Sequence, residues 1–416
     1  MWMVCPSGTS VDGTGAPRRV RPVLDSVLNL DAEKLSACVS CGLCLPHCPT
    51  FRVTGEEAYS PRGRIDAMRG VELDGAVIDD DFVEFMETCV QCRGCEPACP
   101  SNVEFGSLME QTRAMLANEN RITPWWQRAG FRVLGHHRLL LAGSTALAVA
   151  QRLRLVPKQL GLAELPLRRP KPPAATGDDV WLYVGCVMDA WQRPTHRSTA
   201  ALITATGATF ALPEAGGCCG ALHVHAGLHD QTVALAERTM ASMPGDAPIV
   251  VNSAGCGAAL KDYGEIVGTD AARAFAARIV DVNEWLAERI DRLPAPTTPR
   301  RTVLVQDPCH LRHVQRIDAP VRALLGHVAD VVELDDDGLC CGAGGAYSAL
   351  QPELANDIRE RKLASVDRVV SVTAVSLMAS ANPGCSMHLS AALADRSIDV
   401  AHPVDIVADA LGLSDE

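Results

Sequence analysis

Apolar and polar residues follow two different rhythms along the 416-residue chain. From Val180 onward, short continuous runs of branched residues recur at Val180–Val184, Ile249–Val251 and Val303–Val305. Such runs predict strands buried on both faces of a parallel sheet. Helical stretches such as Gln231–Met240 and Pro352–Ala364 fall between them, so each half of this region reads as βαβαβα. Before it the pattern is helical. Asp31 is placed to cap a helix running toward Cys38, and Asp79–Asp81 to start one running toward Cys89. Trp125–Val156 is an apolar, basic connecting segment, and the prolines of Pro166–Asp179 mark a linker.

The strand-rich region repeats itself. VWLYVGC ending at Cys186 returns as RTVLVQDPC ending at Cys309, and Gly217-Cys218-Cys219-Gly220 returns as Leu339-Cys340-Cys341-Gly342. VVNSAGC ending at Cys256 returns as SANPGC ending at Cys385. Offsets of 123, 122 and 129 residues are those of a duplicated module. Five segments follow: a disordered tail at 1–22, a helical domain at 23–122, a helical connection and linker at 123–179, and modules at 180–298 and 299–416.

A net charge of −12 argues against nucleic acid, whose phosphates require clustered cations. Seventeen cysteines without a secretory signal read as metal ligands before disulfides, which suits a reducing cytoplasm. Cys5 belongs to the loose tail. No stretch reaches the roughly 18 apolar residues of a spanning helix. Leu139–Ala150, flanked by His136, His137, Arg138, Arg152 and Arg154, leaves open a peripheral contact with the inner face of the membrane. A buried helix or a subunit-docking face is the plainer reading of it.

Cys38-x-x-Cys41-x-x-Cys44-x-x-x-Cys48-Pro is followed by Cys89-x-x-Cys92-x-x-Cys95-x-x-x-Cys99-Pro. Three cysteines at this pitch wrap one corner of a cuboidal cluster, and in two-cluster ferredoxins the fourth ligates the other cluster. Two [4Fe–4S] clusters are therefore expected, one on Cys38, Cys41, Cys44 and Cys99, the other on Cys89, Cys92, Cys95 and Cys48. Zinc fits poorly, since its sites split their ligands into two distant pairs. Arg62 and Arg64 are either donors that raise a cluster's potential or charges on a solvated helix face.

Each module offers four thiols, Cys186, Cys218, Cys219 and Cys256 in the first and Cys309, Cys340, Cys341 and Cys385 in the second. Glycines beside the vicinal pairs let backbone N–H groups approach an anionic ligand. One or two further [4Fe–4S] clusters are the functional reading, and reduced cysteines without a metal the plain one. The second module is favoured because His388 stands three positions after Cys385, where the first module has Ala259. His223, His225, His310 and His313 lie beside these cysteines as ordinary loop residues, metal ligands or proton relays.

With both ferredoxin motifs, SPRGR at Ser60–Arg64, GGCCGA at Gly216–Ala221, SAGCGA at Ser253–Ala258, CCGAGGAY at Cys340–Tyr347 and GCSMHL at Gly384–Leu389, the chain resembles the glycolate oxidase iron–sulfur subunits. That group also takes in lactate-utilisation proteins, heterodisulfide reductase subunits and the small subunit of anaerobic glycerol-3-phosphate dehydrogenase. The resemblance implies an α + α/β architecture, an N-terminal α-helical ferredoxin domain followed by a duplicated α/β cysteine-rich (CCG) domain. It implies electrons passing from a 2-hydroxyacid, through FAD on a partner subunit and the clusters, to a quinone or other respiratory acceptor. It offers a heterodisulfide-reductase-like activity as the alternative. In those reductases the vicinal-cysteine modules carry five-cysteine non-cubane clusters ending in a CxxC pair. Ala259 and His388 at the last positions depart from that pattern. The chain itself has no Walker loop, no G-x-G-x-x-G between a strand and a helix, and no nucleophile elbow, so substrate chemistry is expected elsewhere.

Overall fold

A computed structural model describes residues 27–156, 165–214, 217–336 and 338–414. The tail at 1–22 with Cys5, and Gly216 of the first vicinal-cysteine motif, lie outside these residues.

Local capping sets the N-terminal helices. Asp31 Oδ1 accepts from the Glu33 and Lys34 N–H groups, and the helix it starts, Ala32–Ser36, stops two residues short of Cys38. Asp79 accepts from Phe82 N–H at 2.9 Å to open Asp80–Glu87, and Ser60 accepts from Gly63 N–H at 2.9 Å to open Pro61–Glu72. These helices and Phe105–Asn118 close on a core that includes Leu35, Met68, Met86 and Leu108, with Cys89 and Cys95 at its edge.

The strand-rich region forms two all-parallel sheets of four strands. The first contains β1 (Val180–Tyr183), β2 (Phe210–Ala211), β3 (Ile249–Val251) and β4 (Ile279–Asp281) in the order β2-β1-β3-β4. The second repeats it with β5 (Arg301–Gln306), β6 (Ala329–Glu333), β7 (Leu377–Ser380) and β8 (Asp399–Ala401) in the order β6-β5-β7-β8. The βαβαβα expectation of three strands per half is therefore one strand short. Edge strands such as β2 and β8 are two or three residues long and carry no continuous apolar run. Helices between the sheets give them one shared core, in which Leu182, Val250 and Val303 are fully buried. The pairs β1/β3 and β5/β7 are the points where strand order reverses, the usual place for a ligand in an open α/β sheet.

The helix His137–Arg152 contains Leu139–Ala150. Leu140, Ser144 and Ala148 bury one face of it, and Trp191 Nε1 donates to Ser144 Oγ at 2.9 Å. The rest of that helix is not buried. Among the described residues no helix is long and apolar enough to cross a membrane.

Candidate metal centres

Both ferredoxin-type loops adopt the same unusual backbone. Ser40 and Gly42 flank Cys41 with φ of 57° and 83°, and Gln91 and Arg93 flank Cys92 with φ of 56° and 55°. For a non-glycine residue the left-handed region costs roughly 1–2 kcal/mol. Three such residues at matching positions mean that something else over-determines the loop. A loop wound this way turns successive N–H groups inward and forms a concave anion cradle.

Cys48, Cys89, Cys92 and Cys95 line one small internal cavity with Thr50 and Arg64. All four are buried. Burial and the neighbouring Cys48 and Cys89 push the Cys95 thiol well above its ordinary value. Four thiols crowded without solvent repel one another as thiolates unless cations screen them, so the donor set fits a group that supplies iron. The other predicted set is more open. Cys38, Cys44 and Cys99 pack partly buried against the same core and Cys41 is exposed, while burial pushes Cys44 up to about 11. Among the described residues no three potential ligands converge on a single-ion site.

Arg62 and Arg64, alike in sequence, have different fates. Arg62 is half-exposed, pairs with Glu57 at 2.6 Å and donates to Ser40 O at 2.9 Å beside the Cys38–Cys44 loop. Arg64 is 1% exposed, which overturns the solvated-face reading for it. Its guanidinium donates to Phe85 O at 2.7 Å, Tyr59 O at 2.6 Å, Thr50 Oγ1 at 3.2 Å and Thr88 Oγ1 at 3.3 Å, none of them a carboxylate. Sequence reasoning missed a second buried cation. Arg113 donates to the carbonyls of Met86, Glu87, Cys89 and His225, the last at 2.8 Å, and burial lowers its pKa. No local pattern singles it out from the other arginines.

In the modules, Cys186 and Cys256 follow β1 and β3, and Cys309 and Cys385 follow β5 and β7, as predicted. Each vicinal pair has one hub sulfur. The neighbouring Cys186, Cys219 and His223 lower the Cys218 pKa, and the neighbouring Cys309, Cys341 and Cys92 lower that of Cys340. The left-handed Gly342 turns its N–H onto Cys340 Sγ at 3.4 Å, and Gly220 does the same for Cys218. Cys219 and Cys256 Sγ stand 3.3 Å apart.

The two hubs differ in their third neighbour, a histidine of the same module in one case and Cys92 of the helical region in the other. Cys92 thus lines the four-cysteine cavity and also contacts Cys340. His388 Nε2 meets the Ala355 carbonyl at 3.4 Å. Of the other histidines, His310 also meets a sulfur, its Nδ1 lying 3.5 Å from Cys309 Sγ. His223 Nε2 lies 3.0 Å from Phe131 O and His313 Nε2 3.2 Å from Gly338 O. The rings of His225 and His310 lie tilted to each other with centroids 5.5 Å apart, and burial lowers both pKa values, His310 to about 4.

The helical region is clamped over both modules. Tyr347 donates to Thr88 O at 3.1 Å, Gln91 to His225 O at 3.0 Å, and Arg93 pairs with Asp262 at 3.0 Å. Between them lies a cleft of about 440 Å³ that reaches Cys89 and is walled by Arg113, Phe131, Leu222, His225 and Tyr347. A cavity of about 530 Å³ beneath Pro170, Arg197 and Asp405 touches none of the cysteines.

Residues 34–103 match the 4Fe-4S dicluster domain, and residues 180–261 and 303–390 match the cysteine-rich domain called CCG. The chain is 30% identical to the probable glycolate oxidase iron-sulfur subunit of Bacillus subtilis, over 92% of this chain and 95% of that protein. It is 29% identical to the glycolate oxidase iron-sulfur subunit of Escherichia coli, over 92% and 96%. A dihydromethanophenazine:CoB–CoM heterodisulfide reductase polypeptide of Methanosarcina mazei is 27% identical, over 91% and 95%.

Proposed function

The chain belongs to the family of glycolate oxidase iron–sulfur subunits, and on that premise we propose that it carries electrons from a partner flavoprotein, oxidising a 2-hydroxyacid of the glycolate or D-lactate type, to a respiratory acceptor. One observation carries this reading. Cys92 belongs to the four-cysteine cavity and also touches Cys340, so two redox-capable thiol groups stand in contact rather than in separate folds.

A bound [4Fe–4S] cluster supplies reversible one-electron storage. The residues of the chain supply the rest. Cys38, Cys41, Cys44 and Cys99 hold the more exposed centre, and Cys48, Cys89, Cys92 and Cys95 the buried one. Arg64 and Arg113 place positive charge beside the buried centre. Cys309, Cys340, Cys341 and Cys385 are the better candidates for a third centre, and Cys186, Cys218, Cys219 and Cys256 for a fourth. FAD belongs to the partner, since this sequence carries no phosphate-binding loop of its own. The cleft at Cys89 is large enough to admit a quinone headgroup as acceptor.

The test is anaerobic co-expression with an FAD-binding oxidase subunit, followed by addition of a 2-hydroxyacid and freeze-quench electron paramagnetic resonance (EPR). Flavin reduction followed by paramagnetic signals in this chain is the expected result. A flavoprotein that is reduced by substrate while this chain stays oxidised contradicts the reading. The Cys219–Cys256 contact favours a second reading, thiol–disulfide exchange, and turnover of a disulfide by this chain without any flavoprotein would decide for it.

A further inference from the structure

The helices Trp125–Leu134 and His137–Arg152 form a hairpin whose second helix is apolar on two faces. The inner face is used, since Leu140 packs beside Cys186 and Cys218 in the first module. The outer face carries Leu139, Ala142, Gly143, Ala146, Val149 and Leu153, all exposed and all on one helical stripe. At the other end of the hairpin Trp125 is 80% and Trp126 55% exposed, and they are the only exposed tryptophans among the described residues. Apolar surface of this extent marks an interaction site.

Charge identifies the occupant. From Arg121 to Val156 there are six arginines and no aspartate or glutamate, in a chain whose net charge is −12. Cations stand at both ends of the apolar stripe, Arg132 and Arg138 before it and Arg152 and Arg154 after it. The stripe itself offers nothing that could pair with the polar groups of a protein partner.

We propose that this hairpin seats the protein on an anionic lipid bilayer, with the helix His137–Arg152 lying in the headgroup region. Its 16 residues extend about 24 Å, short of the roughly 30 Å hydrocarbon core but suited to lying along the interface. An anionic surface attracts this face and repels the acidic remainder, so charge alone fixes the orientation. Pro124, Gln127 and Phe131 belong both to this segment and to the wall of the cleft at Cys89, so seating brings the cleft beside the lipid. Lipid seating is independent of the electron-transfer reading, because vesicle binding reports on it without turnover.

The test is flotation of the anaerobically purified full chain with vesicles of phosphatidylcholine alone or with phosphatidylglycerol added. Binding is expected only to the anionic vesicles, weakening as salt rises, with a blue shift of tryptophan emission. Trp125→Ser with Trp126→Ser, and separately Arg132→Glu with Arg138→Glu, should each weaken binding about tenfold or more. Val372→Ser, at an exposed apolar position outside the hairpin, should leave it unchanged. Visible absorbance of the bound clusters checks that each variant is folded. Failure to bind anionic vesicles, equal binding to neutral ones, or binding undiminished in both double variants overturns the proposal, and the first of these would make the face a protein-docking surface.

Discussion

Replacing Arg64 with methionine removes a buried positive charge while keeping a side chain of similar length. Two consequences follow, and the structure separates them. The first is stability. Of the four acceptors that lose a donor, Tyr59 O keeps one from Thr50 Oγ1 at 2.7 Å, and Phe85 O keeps one from Thr88 Oγ1 at 3.2 Å. Neither carbonyl is orphaned, so the loss is that of a few charged hydrogen bonds, about 2–4 kcal/mol in all. The second is redox. Arg64 lines the four-cysteine cavity, and a unit charge at a separation on the order of 6 Å, at an effective dielectric of about 20, contributes about 3 kcal/mol. For a one-electron couple that is roughly 120 mV.

Loss of a cation makes adding an electron harder, so the midpoint of the cluster we assign to Cys48, Cys89, Cys92 and Cys95 should fall by roughly that amount. The other cluster should move far less. Arg64→Lys should restore most of the potential but not the stability, because lysine keeps the charge and lacks the fork. Arg62→Met is the control, since Arg62 is half-exposed and already neutralised by Glu57. Redox titration followed by low-temperature EPR reads both midpoints in one sample. An Arg64→Met protein that retains both clusters with both midpoints in place, or in which only the Cys38-set cluster shifts, would refute this role for Arg64.

Cys48→Ser should remove the same EPR signal as Cys89→Ser, and Cys99→Ser the same signal as Cys38→Ser; pairing within each motif instead would exclude the exchange of fourth ligands. An iron chelator should extract iron in two phases, the faster from the set containing the exposed Cys41, and a single phase would deny the difference in burial. Glu110 is half-buried, and burial together with Asp262 raises its pKa to about 7 against the opposing pull of Arg93. The protonated acid is favoured in the fold, so its contribution is complete below about pH 4.5 and is lost as pH rises toward 7. Allowing for solvent screening, about 1–3 kcal/mol is at stake. Glu110→Gln should flatten the pH dependence of chemical denaturation in that window and exceed the natural protein in stability above it, and an unchanged profile would contradict the assignment.

Spacing and short-range chemistry make part of this protein legible without coordinates. The two cysteine motifs, the repeat offsets and the caps at Asp31, Ser60 and Asp79 involve partners within a few residues, where the covalent chain itself restricts the geometry. Buried strands announce themselves because a parallel sheet needs apolar residues on both faces, while two-residue edge strands such as β2 carry no such demand. Tertiary structure decided the rest. Tyr347 reaches Thr88 across 259 residues, and Cys92 meets Cys340 because a helical region folds over the carboxyl ends of two sheets it does not join. That clamp also buries Arg113, while Gln111 and Ala114 of the same helix stay in reach of solvent. Arg62 and Arg64 show the same division two residues apart, since which side of a helix meets the core depends on what packs against it. Ligand identity was written in the spacing of thiols, and the electrostatic surroundings of those thiols came only from contacts between distant segments.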